Sequence, residues 1–336
     1  MANRKNISLP GDQAALVQQV RQAVGPSVPV IAVMIHGALL ENSSLPPAIP
    51  SPARFELDKC CCAIATGGSM DISEVLSDAD AVLDAYYPGQ FGATAIAGEP
   101  QMEIVFHYFI LHSFGQLFTN CHPNDTYRRL LICTEALFGA INPSGKLPYT
   151  YYKASYTDQV SMDDFGCAKP PGRGYRYLPT ASKHILLPAF HGMSYTSFKL
   201  HAATAPHVLH NQPSTNSLVL EVQVENTGSR SGSETVLAFF RPENRTNPGG
   251  AKLLPLQRRL CGLAQTGPLA AKGTKTLQIN VTIDSLAMAD EIGALVSVPG
   301  KYTIILSTGT QGAEEISIPL AILGERFVLE QLPPGI

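Results

Sequence analysis

Apolar residues in the first third of the chain follow two different periods. Residues 10–24 place Leu16, Val17, Val20 and Val24 on one stripe, which predicts an amphipathic helix. Residues 28–35 instead form a continuous apolar run of strand length, typical of a strand buried on both faces of a parallel sheet.

A second strand of this kind is predicted at residues 80–86, and a helical segment follows at 89–97. Alternating helices and strands indicate an α/β layer structure. From about residue 216 the period changes to two, and apolar segments recur at hairpin-like spacing between Gly and Pro turns. This second pattern predicts an all-β sandwich, and the His-, Pro- and Ser-rich stretch 201–215 is the expected boundary.

Two segments fit neither pattern. Residues 38–67 hold four prolines and the run Cys60–Cys62, and residues 98–134 are rich in Phe and His. Both read as long insertions between elements that would otherwise connect in a few residues. The cysteine run is interpreted as a chance run in a loop, with a metal cluster as the alternative.

Composition narrows the classes of protein. The 336 residues favour two domains of about 150 residues each, and 45% apolar with 15% charged residues exclude a disordered chain. A net charge of −3 lacks the excess of positive charge that is typical of nucleic-acid-binding proteins. No uncharged apolar run reaches about 18 residues, so no membrane-spanning helix is expected, and no secretory leader is visible at the start.

Cysteines and sequons add two small signals. The seven cysteines include no CxxC pair with a matching His or Cys pair, which argues against a zinc site. His107, His112 and His122 do not share one helical face, so they predict no metal site either. Five N-x-Ser/Thr sequons hint at secreted ancestry, and three of them are candidates for glycosylation. These three are Asn6, Asn244 and Asn280.

Four segments follow one another along the chain, namely AYYPGQFGATAIA, EALFGAINPSGKLPYTYY, PPGRGYRY and LLPAFHGMSYTSF. In this order they resemble the signatures of glycoside hydrolase family 3, in its plant-type β-xylosidase and β-glucosidase branch. The resemblance implies a C-terminal α/β sandwich domain with a mainly parallel sheet over residues 1–200. After the linker 201–215, it implies a fibronectin type III-like, immunoglobulin-like sandwich over 216–330.

The same resemblance bears on the insertions. Joining Gly37 to Gly68, or Ala97 to Glu135, restores a continuous family pattern. The two insertions are therefore either retained introns or lineage-specific surface loops. The second junction would interrupt one amphipathic helix, which makes it a poor place for a loop.

The family's catalytic carboxylates have no counterpart here. Retaining glycosidases use two carboxylates about 5 Å apart, one as nucleophile and one as acid/base. In the family the nucleophilic Asp lies on an N-terminal TIM-like barrel, which is missing, and the acid/base Glu precedes the segment that resembles residues 9–17. Residues 1–8 contain no Glu. We therefore expect no catalytic residue and no cofactor, and an inactive chain.

Four residues remain candidates for the rim of a substrate site. Asp71 lies in the loop after the first predicted strand, near the end of a parallel strand where ligands gather, and a helix N-cap is the alternative role. Asp164, Arg173 and Tyr175 lie on a loop that approaches the active-site rim in the family. Arg173 and Tyr175 either contact sugar or brace the domain interface. Asp163 and Asp164 are adjacent, so their side chains diverge and make a poor catalytic pair.

Three functions compete. The first is a fragment of a glycosidase that releases terminal β-linked xylose, glucose or arabinose from oligo- or polysaccharides, as in xylan catabolism. The second is a carbohydrate-binding or interaction module, against which stands the absence of tryptophan. The third is a metal or redox protein built on Cys60–Cys62. The family is mostly secreted or vacuolar, and loss of the barrel predicts association through an exposed apolar face.

Overall fold

The chain was analysed as a computed structural model. The structure describes residues 7–9, 11–37, 60–67, 70–84, 136, 139, 141–161, 164, 166–204, 208–211, 217–243, 256–290, 294–309 and 314–331. The chain divides into two compact units. The first unit is Met1–Ile141 with Tyr151–Met162, and the second unit is Asn142–Thr150 with Asp163–Ile336.

The first unit contains a three-stranded parallel sheet with strand order β2-β1-β3. Its elements are α1 (Gln13–Val24), β1 (Val30–Gly37), β2 (Cys60–Gly67), α2 (Ser73–Asp78), β3 (Ala81–Asp84), β4 (Tyr151–Tyr152) and a 3₁₀ turn (Ala154–Tyr156). The predicted first helix and both predicted strands are confirmed. The predicted helical segment 89–97 lies outside the described residues.

Strand β1 is the middle strand of this sheet. Ala32 and Met34 on one face and Val33 on the other are all buried, as the continuous apolar run predicts. Arg21 of α1 holds the helix near the sheet, since its side chain donates to the carbonyls of Val28 and Asp78 at 3.0 and 2.9 Å.

The interpretation of Cys60–Cys62 as part of a loop is wrong. These residues begin β2, which pairs in parallel with β1 along eight positions. The segment Cys60–Gly67 is a run of small and β-branched residues, which a strand accommodates readily. The last eight residues of the predicted insertion 38–67 are therefore regular structure. Residues 38–59 and 98–134 lie outside the described residues.

The second unit is rich in sheet. Its elements are β5 (Ile185–Leu187), β6 (Phe198–Thr204), β7 (Val208–His210), β8 (Ser217–Asn226), β9 (Thr235–Pro242), β10 (Arg259–Gln265), β11 (Thr274–Thr282), β12 (Met288–Ala289), β13 (Leu295–Ser297), β14 (Gly300–Ser307), β15 (Glu315–Leu323) and β16 (Phe327–Glu330), with helix α3 (Gly174–Tyr177) and a 3₁₀ turn (Ile283–Leu286).

These strands form a mixed five-stranded sheet, order β10-β9-β14-β15-β7, in which only the β15–β7 pair is parallel. Two antiparallel three-stranded sheets have the orders β11-β8-β6 and β12-β13-β16.

Side chains from these sheets share one hydrophobic core. The alternation predicted for β8 is confirmed, because its even-numbered residues Leu218 to Val224 are buried while Ser217 to Gln223 are exposed. They pack in one cluster with Phe240 of β9 and Ile304 of β14.

Strand β9 departs from simple alternation. Phe239 and Phe240 are adjacent, and both are fully buried. Phe240 belongs to the shared core, whereas Phe239 lies in a second cluster with Leu237 and Ile305. The five-stranded sheet is therefore covered on both faces at β9.

Candidate functional site

Asp71 of the first unit is held from several segments of the chain. Its Oδ1 accepts hydrogen bonds from the Ser73 backbone N–H at 2.9 Å and from the Ser73 hydroxyl. Its Oδ2 accepts from the Ala154 N–H at 2.6 Å, and its own N–H donates to the Ile7 carbonyl at 2.8 Å. The preceding residue, Met70, is fully buried.

These contacts decide what Asp71 can do chemically. Burial disfavours the ionised carboxylate, but the hydrogen bonds from Ser73 and Ala154 outweigh it, and the pKa of Asp71 lies below its usual value. Three of about four acceptor positions are filled by protein donors. Ile72 occupies the N-cap position of α2, and Asp71 lies one residue before it. From there the Asp71 carboxylate accepts the N–H of Ser73, the first residue of α2. This geometry resembles a cap more than the proton donor of a general acid.

Asp164, Arg173 and Tyr175 all lie in the second unit. Asp164 accepts from the Gly166 N–H at 2.9 Å and from Lys169 Nζ at 3.0 Å. Both hydrogen bonds lower the pKa of the Asp164 carboxyl, and the one from Gly166 has the larger effect. Its neighbour Asp163 lies outside the described residues.

Arg173 stands at the N-cap position of α3, and its N–H donates to the Cys167 carbonyl at 2.9 Å. Its charge also contributes to the lowered pKa of Asp164. The turn before it needs glycine, because Gly172 has φ +90° and a Cβ there would lie 2.4 Å from the Tyr177 carbonyl oxygen. The loop is therefore folded tightly against α3.

The ring of Tyr175 is a packing element. It meets the rings of Phe190 and Phe239 edge to face, with centroids 5.1 and 6.0 Å away. The Leu260 N–H lies 3.4 Å from the Tyr175 hydroxyl oxygen. Tyr175 thus covers the outer face of β9 within the second unit, which favours a bracing role over contact with sugar.

Two of the signature segments, 141–150 and 190–196, are bound to each other. Leu147 donates its N–H to the His191 carbonyl at 2.8 Å, and Phe190 returns a hydrogen bond to the Leu147 carbonyl at 2.6 Å. Asn142 Oδ1 accepts the Tyr195 N–H at 2.7 Å, and its amide nitrogen lies 3.0 Å from Ser194 Oγ. We call this arrangement the signature interlock.

Lys146 anchors the signature interlock to the β-sheet region of the second unit. Its Nζ lies 2.8 Å from Glu234 Oε1 and donates to the Thr308 carbonyl at 2.7 Å. The two charged side chains are only 16% and 13% exposed. Charge-assisted hydrogen bonds of this kind are strong because little water competes for them.

Sequence reasoning missed these roles of Asn142 and Lys146. The available signal was that Lys146 is the only charged residue between 141 and 152. Its partner Glu234 is far away in sequence, and nothing in a local pattern points to it.

Other candidate chemistry is limited. Within the described ranges, no group of three or more His, Cys, Asp or Glu residues could hold a metal ion. His107, His112 and His122 lie outside those ranges, as do Asn6 and Asn244, and only the backbone of Cys60–Cys62 is described. No described helix has the length and apolar character needed to cross a membrane.

Comparison with known proteins gives a consistent set of relatives, although no family model matches the chain. A xylan 1,4-β-xylosidase of Xylanibacter ruminicola is 30% identical over 248 residues, covering 73% of this chain and 22% of its own length. A β-glucosidase of Ruminococcus albus is 31% identical over 192 residues, covering 53% of this chain and 19% of its own.

Solved structures agree with these relatives. A GH3 exo-β-xylosidase, solved with a xylobiose aziridine probe, matches 98% of this chain and 35% of its own with a TM-score of 0.62 and 19% identity. The chain thus spans between about a fifth and a third of the length of these proteins. The ordered signature segments, the relatives and the shared fold place the chain in glycoside hydrolase family 3.

Proposed function

We propose that this chain is the C-terminal part of a family 3 glycosidase, consisting of the α/β domain and the fibronectin type III-like sandwich. The complete enzyme would release terminal β-linked xylose, glucose or arabinose from oligo- or polysaccharides by a retaining mechanism. The signature interlock carries this proposal. In it, two segments that resemble the family bind each other, and Lys146 joins them to the β-sheet region of the second unit. The names of the relatives, β-xylosidase and β-glucosidase, support the substrate class.

The chain alone is proposed to be inactive. A retaining glycosidase needs a general acid with a raised pKa close to a second, ionised carboxylate. The pKa values of Asp71, Asp80 and Asp164 are lowered instead, and each carboxylate is bound by protein donors. The catalytic pair would come from the part of the relatives' length that this chain does not span.

An activity assay tests the inactive state directly. The chain is incubated with 4-nitrophenyl β-xyloside, β-glucoside and arabinoside, beside an active family 3 enzyme. We expect no release of nitrophenol above the buffer blank. Turnover that Asp71→Asn or Asp164→Asn abolishes would overturn the assignment of these carboxylates to structure.

The transcript tests the relation to a complete enzyme. We expect reads from upstream of Met1 through residue 140 to encode a barrel and to omit 38–67 and 98–134. Because Cys60–Gly67 forms a strand beside β1, an exact omission of 38–67 would require another segment to replace β2. A transcript that begins at Met1 would leave the chain without a catalytic part.

A second candidate function is carbohydrate binding, and one surface feature favours it. Met193 and Tyr195 are 76% and 46% exposed on the signature interlock, and the Arg230 guanidinium lies 5.6 Å from the centre of the Tyr195 ring. Exposed aromatic rings with a polar neighbour can stack on sugars. Titration with xylo-oligosaccharides would give saturable heat that Tyr195→Ala removes, whereas Val219→Ala would leave it unchanged.

The family relation also supports an extracellular or vacuolar location and association through an apolar face that the rest of the enzyme would cover. Sedimentation of the purified chain tests the second point. We expect concentration-dependent association, and a monomer at every concentration would contradict it.

A further inference from the structure

One sequon lies within the described structure, on strand β11. The strand alternates, so that Ile279 and Val281 are buried while Asn280 and Thr282 are exposed. The acceptor Asn280 and the sequon hydroxyl of Thr282 therefore both point away from the core. The fold can accept a large group at Asn280 without any change in the packing of β11.

The amide of Asn280 is free for modification. Its neighbour on the same face, Gln278, donates to Glu221 Oε1 at 2.8 Å. Asn280 makes no side-chain hydrogen bond to any residue that the structure describes. A glycan at this position would therefore break no existing contact.

An exposed apolar side chain lies beside Asn280. Val219 of β8 lies directly opposite in the antiparallel register and is 45% exposed. Side chains opposite each other in such pairs have Cβ atoms about 5 Å apart. The apolar face of a first sugar can therefore lie on Val219.

We propose that Asn280 carries an N-linked glycan whose first sugar covers the exposed side chain of Val219. The donor is an oligosaccharide linked to a lipid diphosphate in the secretory pathway. The bond between sugar C1 and the phosphate oxygen breaks, and C1 bonds to the amide nitrogen of Asn280. The nitrogen loses a proton, and the lipid diphosphate leaves.

Site mapping tests the modification. The chain is secreted from a eukaryotic host behind a leader peptide, together with a control glycoprotein, and is treated with peptide N-glycosidase in heavy-oxygen water. We expect the peptide with Asn280 to carry a labelled Asp in the natural sequence and in Thr282→Ser, but not in Thr282→Ala. An unlabelled Asn280 beside a labelled control glycoprotein would overturn the proposal.

Light scattering tests whether the glycan covers an apolar surface. The glycosylated chain and the same chain after enzymatic removal of glycan from the folded state are compared over a concentration series. We expect the deglycosylated chain to associate at lower concentration, and Val219→Ser in the deglycosylated chain to restore the behaviour by removing exposed apolar surface. Equal association of the glycosylated and deglycosylated chains would show that the glycan does not cover Val219.

Discussion

At the residue scale, Lys146 has the most consequential environment. Its ammonium group is paired with Glu234 where little water reaches either side chain. Removing one partner leaves the other charge without compensation, which costs more than the pair itself contributes.

We therefore predict that Lys146→Met lowers the free energy of unfolding of the second unit by about 2–3 kcal/mol. Urea unfolding, followed by circular dichroism, measures the change. Lys146→Met combined with Glu234→Gln is expected to cost less than the sum of the two single changes. Additive costs would show that the two side chains are not coupled.

Asp71 predicts a dependence of stability on pH. Its pKa in the folded state lies below the ordinary value of 3.8, so the ionised form is favoured by folding. Its contribution is complete above that value and is lost as the pH falls through the lowered pKa. Asp71→Asn should destabilise the first unit near neutral pH and reduce the further loss of stability that occurs as the pH falls. Urea midpoints measured between neutral and strongly acidic pH test both effects. An unchanged acid slope would contradict this role.

At the scale of elements, β9 is a strand with adjacent side chains buried on its two faces. We predict that Phe239→Ala and Phe240→Ala each cost about 3–5 kcal/mol, because both side chains are fully buried. The exposed Arg241→Ala in the same strand is the control and should change stability by less than about 0.5 kcal/mol. A cost for only one phenylalanine would mean that one face of β9 is not packed.

The contact between the two signature segments predicts a strict requirement for glycine. A Cβ on Gly192 would lie 2.3 Å from the Gly145 carbonyl oxygen, whereas one on Gly166 would meet mainly the flexible side chain of Lys169. Gly192→Ala should therefore lower the melting temperature clearly more than Gly166→Ala in a thermal scan. Equal shifts would indicate that the signature interlock can open by a small backbone movement.

The sequence predicts most of the regular elements, because burial on one or both faces leaves a periodic pattern. Residues 28–35 and 218–224 show this well. Strand β2 was missed because a cysteine run after four prolines has no apolar period. No local pattern indicates that Phe239 is buried as well as Phe240, because its cover comes from Tyr175 and Phe190, which are distant in sequence. The candidate residues stay predictions as substrate contacts, and they are Asp71, Asp164, Arg173 and Tyr175.

At the scale of the whole molecule, the division into units affects where the chain can be cut. A chain that begins at residue 216, the predicted start of the sandwich, would lack Tyr175 and Phe190 and would expose Phe239 of β9. We expect it to elute as aggregates in size-exclusion chromatography, and a chain that begins at residue 142, which keeps the whole second unit, to elute closer to a monomer. The opposite order would support 201–215 as an independent boundary.

The bond between Lys146 and Thr308 also has a consequence for synthesis on the ribosome. These residues are 162 positions apart, so Lys146 leaves the exit tunnel long before its acceptor exists. At about 5–20 residues per second, the wait lasts about 10–30 s. Until residues 190–196 and Glu234 emerge, the segment 142–150 also lacks its other partners, which makes it a natural binding site for chaperones that act on nascent chains. Slow translation of the last third of the gene would lengthen this exposure and lower the yield of folded protein.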